Sequence, residues 1–429
     1  MVLIFNNPMS LIVQIGQCGN QLGSRIIDDL YNQCKDWKSD TTEFSANAFF
    51  TRSKDNQAVP HVISIDMEPK VIEAMMTVKR DYSYCKELSI FKQEGSGNNW
   101  AYGYFFHGES IKDRLKECML LALRKFEGIR NVVIIHSLGG GTGSGLGSFI
   151  LETLKDNFPS FLYYNVVVLP KSGGEVILQN YNAVLTLSKL DENSDGIIIL
   201  ENDKAVEVCQ NVLLKKNIEL DCLNEIMSKQ IVSALLSLST DDSVGFNFSE
   251  LVSHKLIPVP RFKLLSSRFI PTTDTTTRSF LNDSWNGLLL RMQQMLLTGS
   301  TEGLINWHVK LHKTNTSVPV KVIHVKGLNN DKAKEEIKSK DLRSKQFKMK
   351  QHEEGTNYAG QVPSLCKMIA LHVESNGSLK SFPEEFNENP DFVFQDPDWY
   401  YPKYKVPLFS LHNSCLTRVT GTVPVLQKS

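Results

Sequence analysis

The chain has no Cys-x-x-Cys pair, no apolar run of membrane-spanning length and no net charge. Each absence excludes something. Its eight cysteines are scattered, which argues against a disulfide framework or a zinc site and fits a reducing compartment. No apolar stretch approaches the roughly 18 residues that a spanning helix needs, so no membrane segment is expected. With 47 basic and 47 acidic residues, no global field calls for nucleic acid or a membrane surface. Met1-Val2-Leu3-Ile4-Phe5 is too short for a secretory leader and lacks a charged start. Met9-Ser10-Leu11-Ile12-Val13 reads as a second beginning, which makes residues 1–10 an extension. The Lys-Ser/Thr pair that closes a P-loop is also missing, because Leu146-Gly147 stands in its place.

What is present is enough for two or three domains: 429 residues, 41% of them hydrophobic. The chain is organised around Gly139-Gly140-Gly141-Thr142-Gly143-Ser144-Gly145. Val132-Val133-Ile134-Ile135 before it reads as a buried strand, and Leu146 to Leu154 after it as a helix. Strand, glycine turn and helix N-terminus together form an anion site. Glycines let the backbone approach a phosphate, and the first helical N–H groups point at it. The Thr142 and Ser144 hydroxyls can donate to the same oxygens. A Gly-x-Gly-x-x-Gly fingerprint can be forced onto five glycines in seven positions, but it is nonspecific there.

The same arrangement recurs earlier. Leu11 to Ile15 reads as a strand, followed by Gly16-Gln17-Cys18-Gly19-Asn20-Gln21 and a helix from about Leu22 to Tyr31, which lets the Gln17 amide reach a phosphate. Residues 36–58 read as a polar loop. His61 to Ile65 reads as a strand ending in Asp66-Met67-Glu68-Pro69. Two carboxylates at a strand's carboxyl end suit a hard cation beside a triphosphate, and Asp66 also suits a helix cap. A Gly/Asn loop over residues 95–99 leads into a helix from Ser110 to about Phe126. Strands follow at Asn165–Leu169 and Gly196–Leu200, with a helix through Leu190 between them. Leu223, Ile226, Met227, Ile231, Leu235 and Leu238 fall at helical spacing and predict a long buried helix over 222–243. Six apolar strands alternating with helices predict a Rossmann-like parallel α/β sheet whose loops gather at the carboxyl ends.

Ser137-Leu138 with the glycine turn resembles the phosphate signature of the tubulin superfamily. Gly-Gln-Cys-Gly-Asn-Gln at 16–21 resembles that family's first nucleotide loop, and Gly95-Ser96-Gly97-Asn98-Asn99-Trp100-Ala101 another. Ala101 to Tyr104 and Gly174 to Ile177 look most like its delta branch. The resemblance implies GTP or GDP as ligand. Gln17, Cys18, Asn98, Ser137, Gly140, Gly141, Thr142 and Gly143 would surround its phosphates, and Glu68 would approach its Mg2+. Gln179 stands where the family has a ribose-binding Glu, and Asn202 and Asn224 would read the guanine edge. Leu220 stands where the family stacks an aromatic ring on the base. Glu250 lies near the place of the acid that activates water across a subunit contact, so any hydrolysis needs a partner subunit.

The resemblance also implies a GTPase domain over 11–221, a central helix over 222–243 and a second α+β domain over 244–380. Residues 271–277 would be the lateral loop, Trp285 to Leu297 an amphipathic helix, and Val320 to Val325 and Lys367 to Val373 strands. The Lys-rich stretch 331–350 reads as a solvated helix or loop, or as a dock for acidic tails. In 381–429, rich in Pro, Asn and aromatics, the family's two closing helices are not evident. The function implied is a GTP-binding cytoskeletal protein of centrioles, basal bodies and cilia, with other tubulins or centriolar proteins as partners. Two alternatives stand beside it. One is a nucleotide-dependent scaffold that never polymerises, which would fail to pellet with GTP. The other is a dinucleotide-dependent enzyme, which would prefer NAD.

Overall fold

The computed structural model describes residues 9–34, 47–174, 176–236 and 263–270, and the single residues 248, 252, 257, 291, 292, 294 and 295. It adds the backbone of three strands at 321–326, 347–352 and 367–373. Glu250, residues 1–8, 237–247, 271–277 and 381–429 lie outside the described residues. So does most of the helix expected over 285–297, of which Arg291, Met292, Gln294 and Met295 are described and helical.

The strands are β1 (Met9–Ile15), β2 (Phe50–Arg52), β3 (Ala58–Pro60), β4 (Val62–Asp66), β5 (Ser89–Phe91) and β6 (Ile129–Ser137). They continue with β7 (Leu162–Leu169), β8 (Gly196–Glu201), β9 (Leu264–Ile270), β10 (Lys321–Lys326), β11 (Phe347–His352) and β12 (Lys367–Val373). The helices are α1 (Gly16–Cys34), α2 (Pro69–Thr77), α3 (Gly108–Lys125), α4 (Gly147–Asn157), α5 (Gln179–Asn193), α6 (Asn202–Glu207) and α7 (Leu220–Leu235). Wide π-type turns at Tyr102–His107 and Thr142–Leu146 precede α3 and α4.

Ten strands make one sheet, in the order β11-β10-β12-β9-β8-β7-β6-β1-β4-β5. From β9 to β5 all seven neighbouring strands run parallel. The central four each carry a run of Val, Ile or Leu, as strands covered on both faces do. One face carries α1, α6 and α7: Leu22, Ile26, Ile27 and Leu30 pack with Ile226 and Ile231 over Val133, Ile135 and Val166. The other carries α3, α4 and α5, where Leu115, Met119, Ile150 and Leu190 pack over Val13, Ile134 and Val167. Each such side chain contributes about 1.5–3 kcal/mol by leaving water.

Chain direction across the sheet changes beside β1. From β1 the chain passes outward to β4 and β5, whereas β6, β7, β8 and β9 step away on the other side. β1 and β6 lie side by side, with Val13 opposite Ile134. Their connections therefore diverge, and a crevice opens between their carboxyl ends.

Several expectations need correction. The parallel sheet has seven strands, two of which match no expected strand: β5 is three residues long, and β9 reads Leu-Leu-Ser-Ser-Arg-Phe-Ile, with Ser266, Ser267 and Arg268 buried. Polar residues inside the strand hide its apolar run. Residues 50–52 and 58, expected in a loop, belong to a small antiparallel hairpin of β2 and β3. Residues 347–350, expected as solvated helix or loop, are strand, paired parallel to β10. Helix α1 begins at Gly16, six residues before its first periodic leucine, because its glycine-rich first turn carries no apolar signal. The long helix begins at Leu220, and its described part ends at Leu235.

Candidate functional site

The carboxyl end of β1 leads directly into a helix, and that of β6 leads into one across residues 138–140. The first N–H groups of a helix have no partner within it, so those of α1 and of the turn beginning at Gly141 face the crevice. Gly16 has φ +72°, a left-handed conformation that side chains avoid, and a Cβ there would lie 3.1 Å from the Gly143 nitrogen. The two loops thus meet backbone to backbone. Asn20 is buried and donates through Nδ2 to Gly16 O (2.9 Å) and Ile65 O (3.0 Å), tying the first loop to the end of β4. Gln17 is exposed at the crevice. Cys18 is partly buried, and burial pushes its thiol up to about 12, so it is a neutral wall residue.

The central glycine turn interlocks with the loop after β5. A Cβ on Gly145 would fall 2.0 Å from the Trp100 carbonyl oxygen, and one on Gly103 2.4 Å from that of Gly141. Main chain touches main chain with no room for a methyl group. One side chain fastens the contact. Asn182, at 2% exposure, donates through Nδ2 to Gly139 O (2.8 Å) and Asn98 O (2.9 Å). Its Oδ1 accepts from Trp100 N (3.1 Å). Asn99 caps the helix beginning at Trp100, its Oδ1 accepting from Ala101 N (2.9 Å) and Tyr102 N (3.3 Å). That leaves Asn98, at φ +52° and exposed, with its Oδ1 toward Gly140.

The hydroxyls divide. Thr142 shares a 2.7 Å hydrogen bond with Ser96. Ser144, expected to face the ligand, is fully buried and donates instead to Gly140 O, so it shapes the turn from inside. Ser137 accepts from Gly139 N at 3.2 Å and keeps its own proton to donate.

Asp66 and Glu68 follow β4. Asp66 Oδ1 accepts from Met67 N (2.7 Å) and Glu68 N (3.4 Å), while Oδ2 is buried without a partner. Burial pushes the Asp66 carboxyl up to about 6. Glu68 is exposed beside Gly95 and precedes Pro69, the first residue of α2. An orphaned carboxylate oxygen and a free carboxylate fit a hard cation that takes its remaining oxygens elsewhere, as from a triphosphate.

At the far end, Asn202 begins α6 and Asn224 lies in the first turns of α7, both partly buried. Cys209 and Cys222, with sulfurs 2.9 Å apart, hold those two segments together. Leu220 is 63% exposed at the start of α7. Gln179 donates through Nε2 to Lys171 O (3.1 Å), which fixes the loop over residues 171–174. Ser172 N donates to Asp203 Oδ2 at 2.9 Å and pins that loop beside Asn202.

Beneath the glycine turn lies a buried polar row. His136 Nε2 faces Asn165 Oδ1 at 3.3 Å, and Asn165 Nδ2 donates to Ser194 Oγ at 2.8 Å. An amide oxygen only accepts, so Nε2 carries the proton. Burial lowers the His136 pKa to about 4. A folded value below the unfolded 6.5 means that stability is full above pH 6.5 and is lost as pH falls toward about 4. The loss is at most about 3 kcal/mol. His136→Asn should lose less stability than the parent between pH 7 and pH 4 in urea unfolding. Equal losses would rule out the histidine as the cause.

Sequence reasoning found the loops but missed Asn182. Its signal was a polar residue on the stripe of α5 shared with Thr186 and Leu190, both buried.

Comparison with known proteins agrees with this geometry. The Tubulin/FtsZ family GTPase domain matches residues 10–210. The chain is 34% identical over 318 residues to "Tubulin delta chain" of Canis lupus familiaris, covering 70% of each. It is 35% identical over 320 residues to "Tubulin delta chain" of Mus musculus, again covering 70% of each. Against "Tubulin beta-1 chain" of Hypocrea rufa it is 28% identical over 281 residues, 63% of each. Shared along that length and folded as a parallel sheet with its glycine loops at the switch point, the chain belongs to the tubulin superfamily, on the side of its delta chains.

Proposed function

We propose that this protein binds GTP and GDP in the crevice between β1 and β6 and serves as a delta-tubulin-like cytoskeletal protein. One observation carries the reading: two helix N-termini and a third glycine loop converge there, their glycine backbones in direct contact and clamped by Asn182. Such a cradle takes a polyphosphate, whose charge it offsets with N–H groups and helix dipoles. Gln17, Asn98, Ser137, Gly140, Gly141, Thr142 and Gly143 hold the phosphates, and Cys18 walls the cradle. Gln179 orders the loop that faces the ribose. Asn202 and Asn224 read the guanine edge, each offering a donor and an acceptor in one plane. Leu220 covers the base by dispersion alone.

Mg2+ would be held by Glu68 and Asp66 together with phosphate oxygens, where it would neutralise charge on the triphosphate. Hydrolysis, if it occurs, needs an acid from a neighbouring subunit. The role that fits a relative named as a tubulin delta chain is structural, at centrioles, basal bodies and cilia, with other tubulins or centriolar proteins as partners.

Equilibrium dialysis of stripped protein against GTP, ATP and NAD tests this. GTP should be retained in preference to both. Asn202→Ala should weaken GTP about tenfold, the value of one guanine hydrogen bond, and leave the Tm unchanged. Glu68→Gln should remove the gain in affinity that Mg2+ gives. Preference for NAD, or indifference to Asn202, would overturn the reading.

A further inference from the structure

We propose that Cys209 and Cys222 are a covalent modification site, a dithiol that peroxide closes to a disulfide. Cys209 lies in the wide turn Val208–Val212 and Cys222 in the first turn of α7. Their sulfurs are 2.9 Å apart, so closure to a bond of about 2.05 Å needs an approach of about 0.9 Å. The two residues belong to different elements, and a bond between them would close the loop 209–222.

The pair has an attacking and a resolving member. The Cys222 sulfur is the first cause that raises the Lys215 ammonium above its ordinary pKa, which places Lys215 beside the pair. Lys215 N also donates to Cys209 O at 3.0 Å, folding its loop onto the pair. Cys222 is the less buried of the two, at 8% exposure against 0%, so peroxide reaches it first. Cys209 is fully buried, and burial with the neighbouring Cys222 pushes its thiol up to about 12. Cys85 also faces a lysine, Lys125 at 3.0 Å, but the Glu87 carboxylate lies 2.7 Å from the same sulfur and opposes ionisation. A second thiol in reach singles out the Cys209–Cys222 pair.

The chemistry balances. The Cys222 thiol gives its proton to solvent, and the thiolate attacks one oxygen of hydrogen peroxide. The O–O bond breaks, hydroxide leaves and takes up a proton as water, and Cys222 becomes a sulfenic acid. The Cys209 sulfur then attacks Cys222. The S–O bond breaks, and the leaving hydroxide takes the Cys209 proton. Two thiols lose two electrons, and one peroxide becomes two waters. The effect on the ligand rests on the nucleotide reading above: the bond ties the segment after Asn202 to the helix that carries Asn224, which slows guanine release.

The full chain, loaded with GDP, is treated with hydrogen peroxide, alkylated and digested without reductant. A linked peptide carrying Cys209 and Cys222, lighter by two hydrogens and split by dithiothreitol, is expected. Cys222→Ser should abolish it, and oxidised parent protein should release GDP more slowly than oxidised Cys222→Ser. Oxidation elsewhere with these two thiols still free would overturn the assignment. A linked pair in protein that retains no nucleotide would instead count against the nucleotide reading and leave the pair standing.

Discussion

Gly145→Ala should separate the two phosphate loops and abolish nucleotide retention. The added methyl would sit 2.0 Å from the Trp100 carbonyl oxygen, 2.8 Å from the carbon that bears it and 2.9 Å from Tyr104 N. All three are main chain and cannot turn aside as a side-chain tip would. Either the loop after β5 retreats or the turn before α4 opens. Overpacking against backbone costs about 3 kcal/mol or more. GTP affinity should fall on the order of a hundredfold, because donors aimed by both loops lose their common target. Gly128→Ala is the comparison on the same sheet, a surface turn where φ is +88° and nothing lies within 4 Å of the added methyl. It should cost about 1 kcal/mol through its backbone alone and leave retention intact. Equal GTP retention by the parent and Gly145→Ala would sink the view that the loops act as one cradle.

Asn182→Ala should be the second most damaging change. It removes three hydrogen bonds at once and leaves Gly139 O, Asn98 O and Trp100 N without the partner that joins them. Stranding buried backbone groups costs about 1–3 kcal/mol each, so a total of about 4 kcal/mol is expected. Asn182→Asp keeps an acceptor for Trp100 N but replaces the donor with a charge at a buried position, and should fare no better. Thermal unfolding and GTP dialysis on the same samples check both variants. A parental Tm for Asn182→Ala would mean that the loops hold without this clamp.

The lysine-rich and polar segments show where sequence reading reaches its limit. Periodicity recovered every long parallel strand of the centre, because β1, β6, β7 and β8 are buried on both faces and so carry apolar runs. It missed β5, too short to show a period, and β9, where Ser266, Ser267 and Arg268 are buried as strand residues. It gave residues 347–350 to helix or loop, because the stretch Phe-Lys-Met-Lys is charged enough to look solvated. Strand pairing with β10 was the deciding term, and pairing partners lie outside any window.

Local chemistry therefore settled the loops: glycine where backbones must touch, asparagine where a helix needs a cap, acids at the end of a strand. Those choices depend on a few neighbouring residues and can be read in order along the chain. Only the folded sheet settled which loops meet, that Ser144 turns inward while Thr142 pairs with Ser96, and that Asn182 reaches across to two other turns. It also brought Cys209 within 2.9 Å of Cys222. Contacts of that kind are fixed by strand order and helix packing, which are properties of the whole sheet, so a residue's own neighbours in sequence do not show which partner it will meet.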